Sequence, residues 1–263
     1  MQISVVIPAI NEARNIQRAI SSCWEAGFDE VILSDGGSVD GTPELARQMD
    51  AKVVLGARGR AAQQNLGAQH ATGHVLLFLH ADNWLDTEAG NQIRNYLTDS
   101  SMQAGAFLQR IEATGFAYRI IEWGNAFRVR RLGMAYGDQA IFMRRETFEQ
   151  MGGFPQVQLM EDLLLMRAFR KVGHVGLLDG PVHVSARRWE KHGIFKQTLR
   201  NWALVLARKF GVSLYQLKQY YPSHSNLEEA VDKAELEPKQ THVPTNERHT
   251  QPDDPPVVPS VDQ

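Results

Sequence analysis

Two carboxylates stand where strand-like runs end. The segment VLLFLHADN stops at His80, Ala81 and Asp82, and VILSDGGSVDGT carries Asp35. An uninterrupted apolar run reads as a strand covered on both faces, as in a parallel sheet. Ligands of open α/β sheets bind just beyond the carboxyl ends of such strands. A carboxylate there can hold a divalent cation against a phosphate. Together Asp35 and Asp82 suggest one nucleotide-and-metal site. Asp35 precedes Gly36-Gly37, so it also reads as a turn residue satisfying local amides, as does Asp40 before Gly41-Thr42. Gly56-Ala57-Arg58-Gly59-Arg60 opens onto a helix, where glycines give backbone access, arginines bind phosphate and the helix dipole adds positive charge. Arg60 is the candidate phosphate contact, with Gln64 and Asn65 one turn further on; a solvated basic loop is the plain alternative. Glu161-Asp162 precedes an apolar helical run, where acids also serve as a simple N-terminal charge signal.

Positioning these groups requires alternating elements, and the first half supplies them. Strands are expected over residues 3–7, ending at Pro8, and over 30–34, 52–55 and 75–79. Helices are expected from an Asn11 cap to about residue 25, from Thr42-Pro43, and over 60–71 before Gly73. This alternation argues for a doubly wound, mostly parallel α/β sheet flanked by helices. The second half is less regular. Strands are expected over 102–109, 140–143, 174–178 and 182–185, and helices over 116–131, 145–151, 161–172 and 194–210, the last extended over 214–221.

Composition sets the outer limits. With 263 residues and 43% apolar content, one large domain or two small ones can bury a core. A net charge of −2 gives no reason to expect nucleic acid as a partner. The lone Cys23 excludes an internal disulfide and reads as a small buried hydrophobe. No secretory signal or run long enough to span a bilayer is evident, so a cytoplasmic protein is expected. Residues 187–218 carry eight Lys or Arg and one acid, Glu190. Within them Phe195, Leu199, Trp202, Leu206 and Phe210 fall at helical spacing. Such a stripe packs on a core or lies on an anionic membrane surface, and residues 116–131, with Arg128, Arg130 and Arg131, permit the same two readings. Residues 224–263 hold six of the eleven prolines and no aromatic residue, so a disordered acidic tail is expected from 223 onward.

The order of ISVVIPAINEARNI, EVILSDGGSVDGT, LLFLHADN, YGDQAIFMRRETFEQMGGFP and LMEDLLLMRAFRKVG resembles the family 2 glycosyltransferases with the GT-A fold. The resemblance covers about residues 2–189. The segments GRAAQQNLGA, HAD and SARRWEKHG are most similar to a bacterial subfamily labelled arsenosugar-biosynthesis glycosyltransferase. It implies a GT-A domain over 1–222, with a nucleotide-sugar half (1–100) and an acceptor half with C-terminal helices (101–222). It implies that Asp35 meets the nucleotide base, typically uracil, with Pro8 and Glu12 around base and ribose. It sets His80-Ala81-Asp82 where the family has Asp-x-Asp. Asp82 alone then takes the Mg²⁺ or Mn²⁺, and His80 contacts ribose, phosphate or metal-bound water, or merely caps the strand. It makes Asp162 the catalytic base, with Glu161 as the weaker candidate. Asp138, in YGDQ, faces the acceptor or organises its loop. Arg187-Arg188-Trp189 resembles the end of a QxxRW motif, with Arg188 on diphosphate and Trp189 under a sugar, the alternative being a plain surface Arg cluster with a core Trp; Ser185 stands at the Gln position, which puts processivity in doubt.

The expected activity is therefore inverting, metal-dependent transfer from a nucleotide-sugar donor, a UDP-sugar above all, to a small-molecule or lipid-linked hydroxyl acceptor. Residues 194–221 would bring the protein to the inner face of the membrane. A nucleotidyltransferase is the first alternative, but it needs a glycine-rich basic loop after the first strand, where PAINEARNI stands. A non-catalytic sugar-nucleotide-binding protein is the second; His80 favours it, whereas Asp82 and Asp162 oppose it.

Overall fold

The computed structural model describes residues 1–194 with Lys196, Leu199, Arg200, Ala203, Ala207 and Val212, leaving aside the side chains of Arg188, Lys191 and His192. Apart from those positions, the expected amphipathic helix 194–210, its extension 214–221, their membrane contact and the acidic tail 223–263 lie outside the described residues.

The first half builds β1 (Ile3–Ala9), α1 (Ile16–Glu25), β2 (Glu30–Asp35), α2 (Thr42–Gln48), β3 (Lys52–Leu55), α3 (Arg60–His70) and β4 (Val75–Phe78). There follow β5 (Asn83–Leu85), α4 (Ala89–Tyr96), β6 (Ala104–Ile111), α5 (Phe116–Leu132) and a 3-10 turn at Gly137–Gln139. The chain continues through β7 (Phe142–Arg144), α6 (Arg145–Gln150), α7 (Glu161–Phe169), β8 (Val175–Val184) and α8 (Arg187–His192). The strands form one sheet in the order β3-β2-β1-β4-β7-β6-β8-β5. β3, β2, β1 and β4 run parallel, β7 is antiparallel to both its neighbours, β6 and β8 are parallel, and β5 closes the edge antiparallel to β8.

Alternation along β1 explains the two layers. Ile3, Val5 and Ile7 face one core with Ile16, Ile20 and Cys23 of α1 and Ile93 of α4. Val6 faces the other with Ala61 and Ala68 of α3, Phe148 of α6 and Leu165, Met166 and Phe169 of α7. Side chains of successive strand residues point to opposite faces, so one strand feeds both cores.

Five elements differ from expectation. Helix α1 starts at Ile16 rather than after Asn11, because Asn11 takes a φ of 54°. That left-handed conformation suits Asn better than most residues. Asn11 joins loops instead: its amide donates to Ser38 Oγ and its Oδ1 accepts from the Val39 amide, each at 2.9 Å. The two strands expected over 174–185 form one, β8, with a register shift opposite Phe107–Gln109. Strand β5 and helices α4 and α8 carry no pattern strong enough to announce them. β5 has three residues, held by pairing with Val182, His183 and Val184 a hundred residues away in sequence.

Candidate functional site

Strand order reverses between β1 and β4, and crevices beyond such switch points hold ligands in open α/β sheets. The sequence folds tightly there. Gln63, 3% exposed on α3, donates its Nε2 to Ala9 O at 2.8 Å and Ser34 O at 2.9 Å, tying the ends of β1 and β2 together. The loops after those strands are laced to each other. The Glu12 amide donates to Thr42 Oγ1, and the Ala13 amide to Asp40 Oδ2, both at 2.9 Å. Burial pushes the Asp40 carboxyl up, but hydrogen bonds from Thr42 and from the Ala13 amide outweigh it and hold it below its ordinary value. Asp35 is buried at the end of β2, and its carboxylate accepts from the Gly37 and Ser38 amides and from Ser38 Oγ. It shapes the β2–α2 turn, as its position before two glycines suggested. Pro8 lies in β1 opposite Ser34, and Glu12 accepts from Asn15 Nδ2 at 2.7 Å.

Beyond β4 the chain turns sharply, the Asn83 amide donating to His80 O at 3.0 Å. Asp82 lines a cavity of about 300 Å³ shared with Arg14, Arg18, Trp84, Glu112 and Arg187. The Arg18 guanidinium lies 3.2 Å from the Trp84 ring centroid, and His183 stacks on the same indole at 5.3 Å, nearly parallel at 6°. His183 Nδ1 meets Glu112 Oε1 at 2.7 Å. Arg14, Arg18, Trp84 and His183 were not singled out in the sequence. Arg14 and Arg18 stand four positions apart, Arg14 in the turn before α1 and Arg18 within it, a spacing within reach; the Trp84–His183 pair exists only through β5–β8 pairing.

The third wall is the Gly137–Gln139 turn. Gly137 donates its amide to Asp162 Oδ2, and the Leu163 amide donates to Asp162 Oδ1 at 2.7 Å. A methyl at Gly137 would lie 2.9 Å from His80 Nε2 and 3.1 Å from Asp162 Oδ2. Only glycine lets these two side chains close on the turn. His80 and Asp162, 82 positions apart in sequence, thus meet at one residue. Asp138 contributes its carbonyl to Gln109 Nε2 at 3.2 Å and Asn83 Nδ2 at 3.4 Å. Arg128 of α5 braces the turn: it donates to Gln139 Oε1 at 2.6 Å and Met134 O at 2.9 Å and covers the Tyr136 ring at 3.5 Å. Burial lowers the Arg128 pKa, opposed by Tyr136, Asp138 and Asp162, and raises that of Tyr136.

Four of the candidate residues make contacts within the protein. Arg60 forms an ion pair with Glu161, whose side chain is 2% exposed. Burial pushes the Glu161 carboxyl up, Arg60 lowers it and Asp162 raises it further. Glu161 thereby ties the Arg60 loop to α7. Asn65 does not face a ligand: its amide clamps both backbone groups of Phe154, at 2.8 and 2.9 Å. Trp189, 8% exposed, packs with Ile111, Tyr118, Val184 and Ala186, so its ring is a core ring with no free face for a sugar. The Arg188 side chain lies outside the described residues.

Among the described residues no three His, Cys, Asp or Glu side chains gather to hold a metal ion. A protein-only cage is not what this chemistry needs, since Mg²⁺ binds through one or two carboxylates plus substrate phosphates. Asp82, a hard oxygen donor lining a cavity beside Arg14 and Arg187, fits that mode.

Comparison with known proteins gives the family and the fold. A family model described as Glycosyl transferase family 2 matches residues 4–151, more than half of the chain. The glycosyltransferase AglE of Haloferax volcanii is 33% identical over 100 residues, covering 32% of this chain and 33% of that protein. The chain therefore spans about a third of the length of that curated relative. Among solved structures, TarS of S. aureus in complex with UDP superposes with a TM-score of 0.59 at 15% identity, covering 88% of this chain and 78% of TarS. The mannosyltransferase PcManGT from Pyrobaculum calidifontis, in complex with GDP-Man and Mn²⁺, gives 0.56 at 20% identity, covering 89% and 80%. At such identities the likeness is one of fold, the GT-A fold.

Proposed function

The chain belongs to glycosyl transferase family 2, and from that premise we propose that it is a glycosyltransferase moving a sugar from a nucleoside-diphosphate donor to a hydroxyl acceptor with inversion. The observation that supports this reading best is the meeting of His80, Gly137 and Asp162 beside the cavity lined by Asp82. His80 stands two residues before Asp82, so the loop that brings His80 to Gly137 and Asp162 also carries the carboxylate that lines the cavity.

In this reading the acceptor oxygen attacks the anomeric carbon while the bond to the diphosphate breaks, its electron pair leaving with the nucleoside diphosphate. The acceptor proton passes to Asp162. The Gly137 and Leu163 amides hold that carboxylate in place, leaving its remaining lone pairs for the proton. Arg14 and Arg187 line the cavity where the departing diphosphate gathers charge. A Mg²⁺ or Mn²⁺ held by Asp82 and the phosphates would neutralise that charge. Pro8, Glu12 and Asp35 border the base and ribose, Arg60 and His80 the donor, and Asp138 the acceptor. A UDP-sugar is the preferred donor, supported by the UDP and GDP-Man complexes of proteins with the same fold. The acceptor is a small molecule or a lipid-linked hydroxyl. A cytoplasmic catalytic unit over residues 1–222, membrane contact through 194–221, and membership of the arsenosugar-biosynthesis subfamily complete the proposal.

A thermal-shift screen of nucleotide sugars with and without Mn²⁺ tests it. One donor should raise the melting temperature only with the metal, because a ligand that binds the folded state alone stabilises it. Asp82→Asn should abolish that metal dependence. No response to any sugar nucleotide or nucleoside diphosphate would sink the proposal.

A further inference from the structure

Among the described residues, nothing covers one face of helix α5. Tyr118, Ala126 and Val129 are buried against the molecule. On the other side Phe116 is 80% exposed, Ile120 52%, Trp123 68% and Phe127 49%. At about 100° per residue these four fall within an arc of roughly 60°, a single stripe about 16 Å long. The Trp123 and Phe127 rings stack at 5.6 Å, which makes the stripe a continuous surface. Large apolar side chains scattered singly over a surface are ordinary, whereas a contiguous patch marks an interaction site.

The charges around the stripe select the partner. Arg130 and Arg131 flank its C-terminal end, both exposed, with Arg131 5.9 Å from the Phe127 ring. The helix carries one acid, Glu122, which is engaged by Arg119 at 3.1 Å and by the Ile111 amide at 2.6 Å. Glu112, just before the helix, is engaged by His183. The face is thus aromatic and aliphatic with cationic flanks. That combination suits the headgroup boundary of an anionic bilayer, where rings enter the acyl edge and arginines meet phosphates. The opposite side of the same helix carries Arg128, which braces the turn holding Gly137 and Asp138.

We propose that the Phe116–Ile120–Trp123–Phe127 face of α5 seats the protein on an anionic lipid surface, with Arg130 and Arg131 in the headgroup layer. This goes beyond sugar transfer and does not depend on it, since lipid binding is read without turnover. Such seating would set the crevice beside the membrane, where a lipid-linked hydroxyl is presented.

The test is co-sedimentation of the full chain with phosphatidylcholine vesicles, with and without about one-third phosphatidylglycerol, at low and high salt. Partition should favour the anionic vesicles by about tenfold and weaken in high salt. Trp123→Ser/Phe127→Ser should reduce it about tenfold or more, and Arg130→Gln/Arg131→Gln should remove the preference for phosphatidylglycerol. All four positions are exposed, so circular dichroism and melting should match the parent, which separates lost binding from lost folding. The proposal is overturned if the parent stays unbound with every vesicle, or if either double variant partitions as the parent does. It is equally overturned if the parent binds no vesicle and sediments as a dimer that Trp123→Ser/Phe127→Ser dissociates, which would give the face to a second copy.

Discussion

Glu161 and Asp162 are neighbours in sequence, yet their surroundings give them different work. Glu161 points into the protein onto Arg60 and is nearly closed to solvent, so burial pushes its carboxyl up. Asp162 is half-buried, and amides of Gly137 and Leu163 fix its orientation. Asp162→Asn should lower turnover by at least about a hundredfold, the range that general base catalysis contributes, while Mn²⁺-dependent donor stabilisation persists. A full transferase rate in that variant would remove Asp162 from the role of base. Gly137→Ala should also slow turnover with donor stabilisation retained, because its methyl would crowd His80 and Asp162. The acid pair was legible from its place before an apolar helix. The family resemblance ranked Asp162 above Glu161 as base, but the Arg60 partner of Glu161 was not legible, since sequence spacing carries no information on what each carboxylate will meet.

At the scale of elements, the site depends on loops that hold one another. The β1–α1 and β2–α2 loops are joined by Asn11, Glu12, Ala13, Ser38 and Asp40, and Gln63 fastens the strands beneath them. Asp40 gives this lacing a pH signature. Its folded pKa lies below the unfolded value of 3.8, so its contribution to stability is complete above that value. That contribution is lost as pH falls through the depressed folded value. Asp40→Asn should lower the melting midpoint by about 2–4 °C at neutral pH, and the gap from the parent should close in acid. A gap constant across the acid limb would show that the Asp40 charge is not what holds the loops. The helices and strands themselves were largely legible, because β1–β4 are short, mostly apolar runs and α2 and α3 have clear starts at Thr42-Pro43 and after Gly59. Helix α1 was misplaced at its start: an Asn before a helical run looks like a cap, and only the partners at Ser38 and Val39 reveal the left-handed turn.

At the scale of the molecule, the sheet supports two cores whose packing sets the crevice. Phe78, 1% exposed at the end of β4, meets Phe154 edge-on at 4.8 Å and Phe148 at 5.1 Å. Phe78→Ala should destabilise the protein by about 3–5 kcal/mol, measured by urea denaturation. A loss below about 1 kcal/mol would mean that the aromatic cluster relaxes around the cavity rather than supporting the strand. The sequence by itself determined the doubly wound half, the strand ends that carry Asp35 and Asp82, and the helix that begins at Glu161. Local periodicity and turn chemistry record those features directly. Only the tertiary structure decided that His80 and Asp162 meet at Gly137, that Gln63 ties two strands, and that β5 pairs with β8. It also separated two tryptophans that look alike on their helices: Trp189 is 8% exposed inside a core and Trp123 is 68% exposed on α5. Apolar spacing tells which face of a helix seeks cover, whereas what covers it depends on segments distant in sequence.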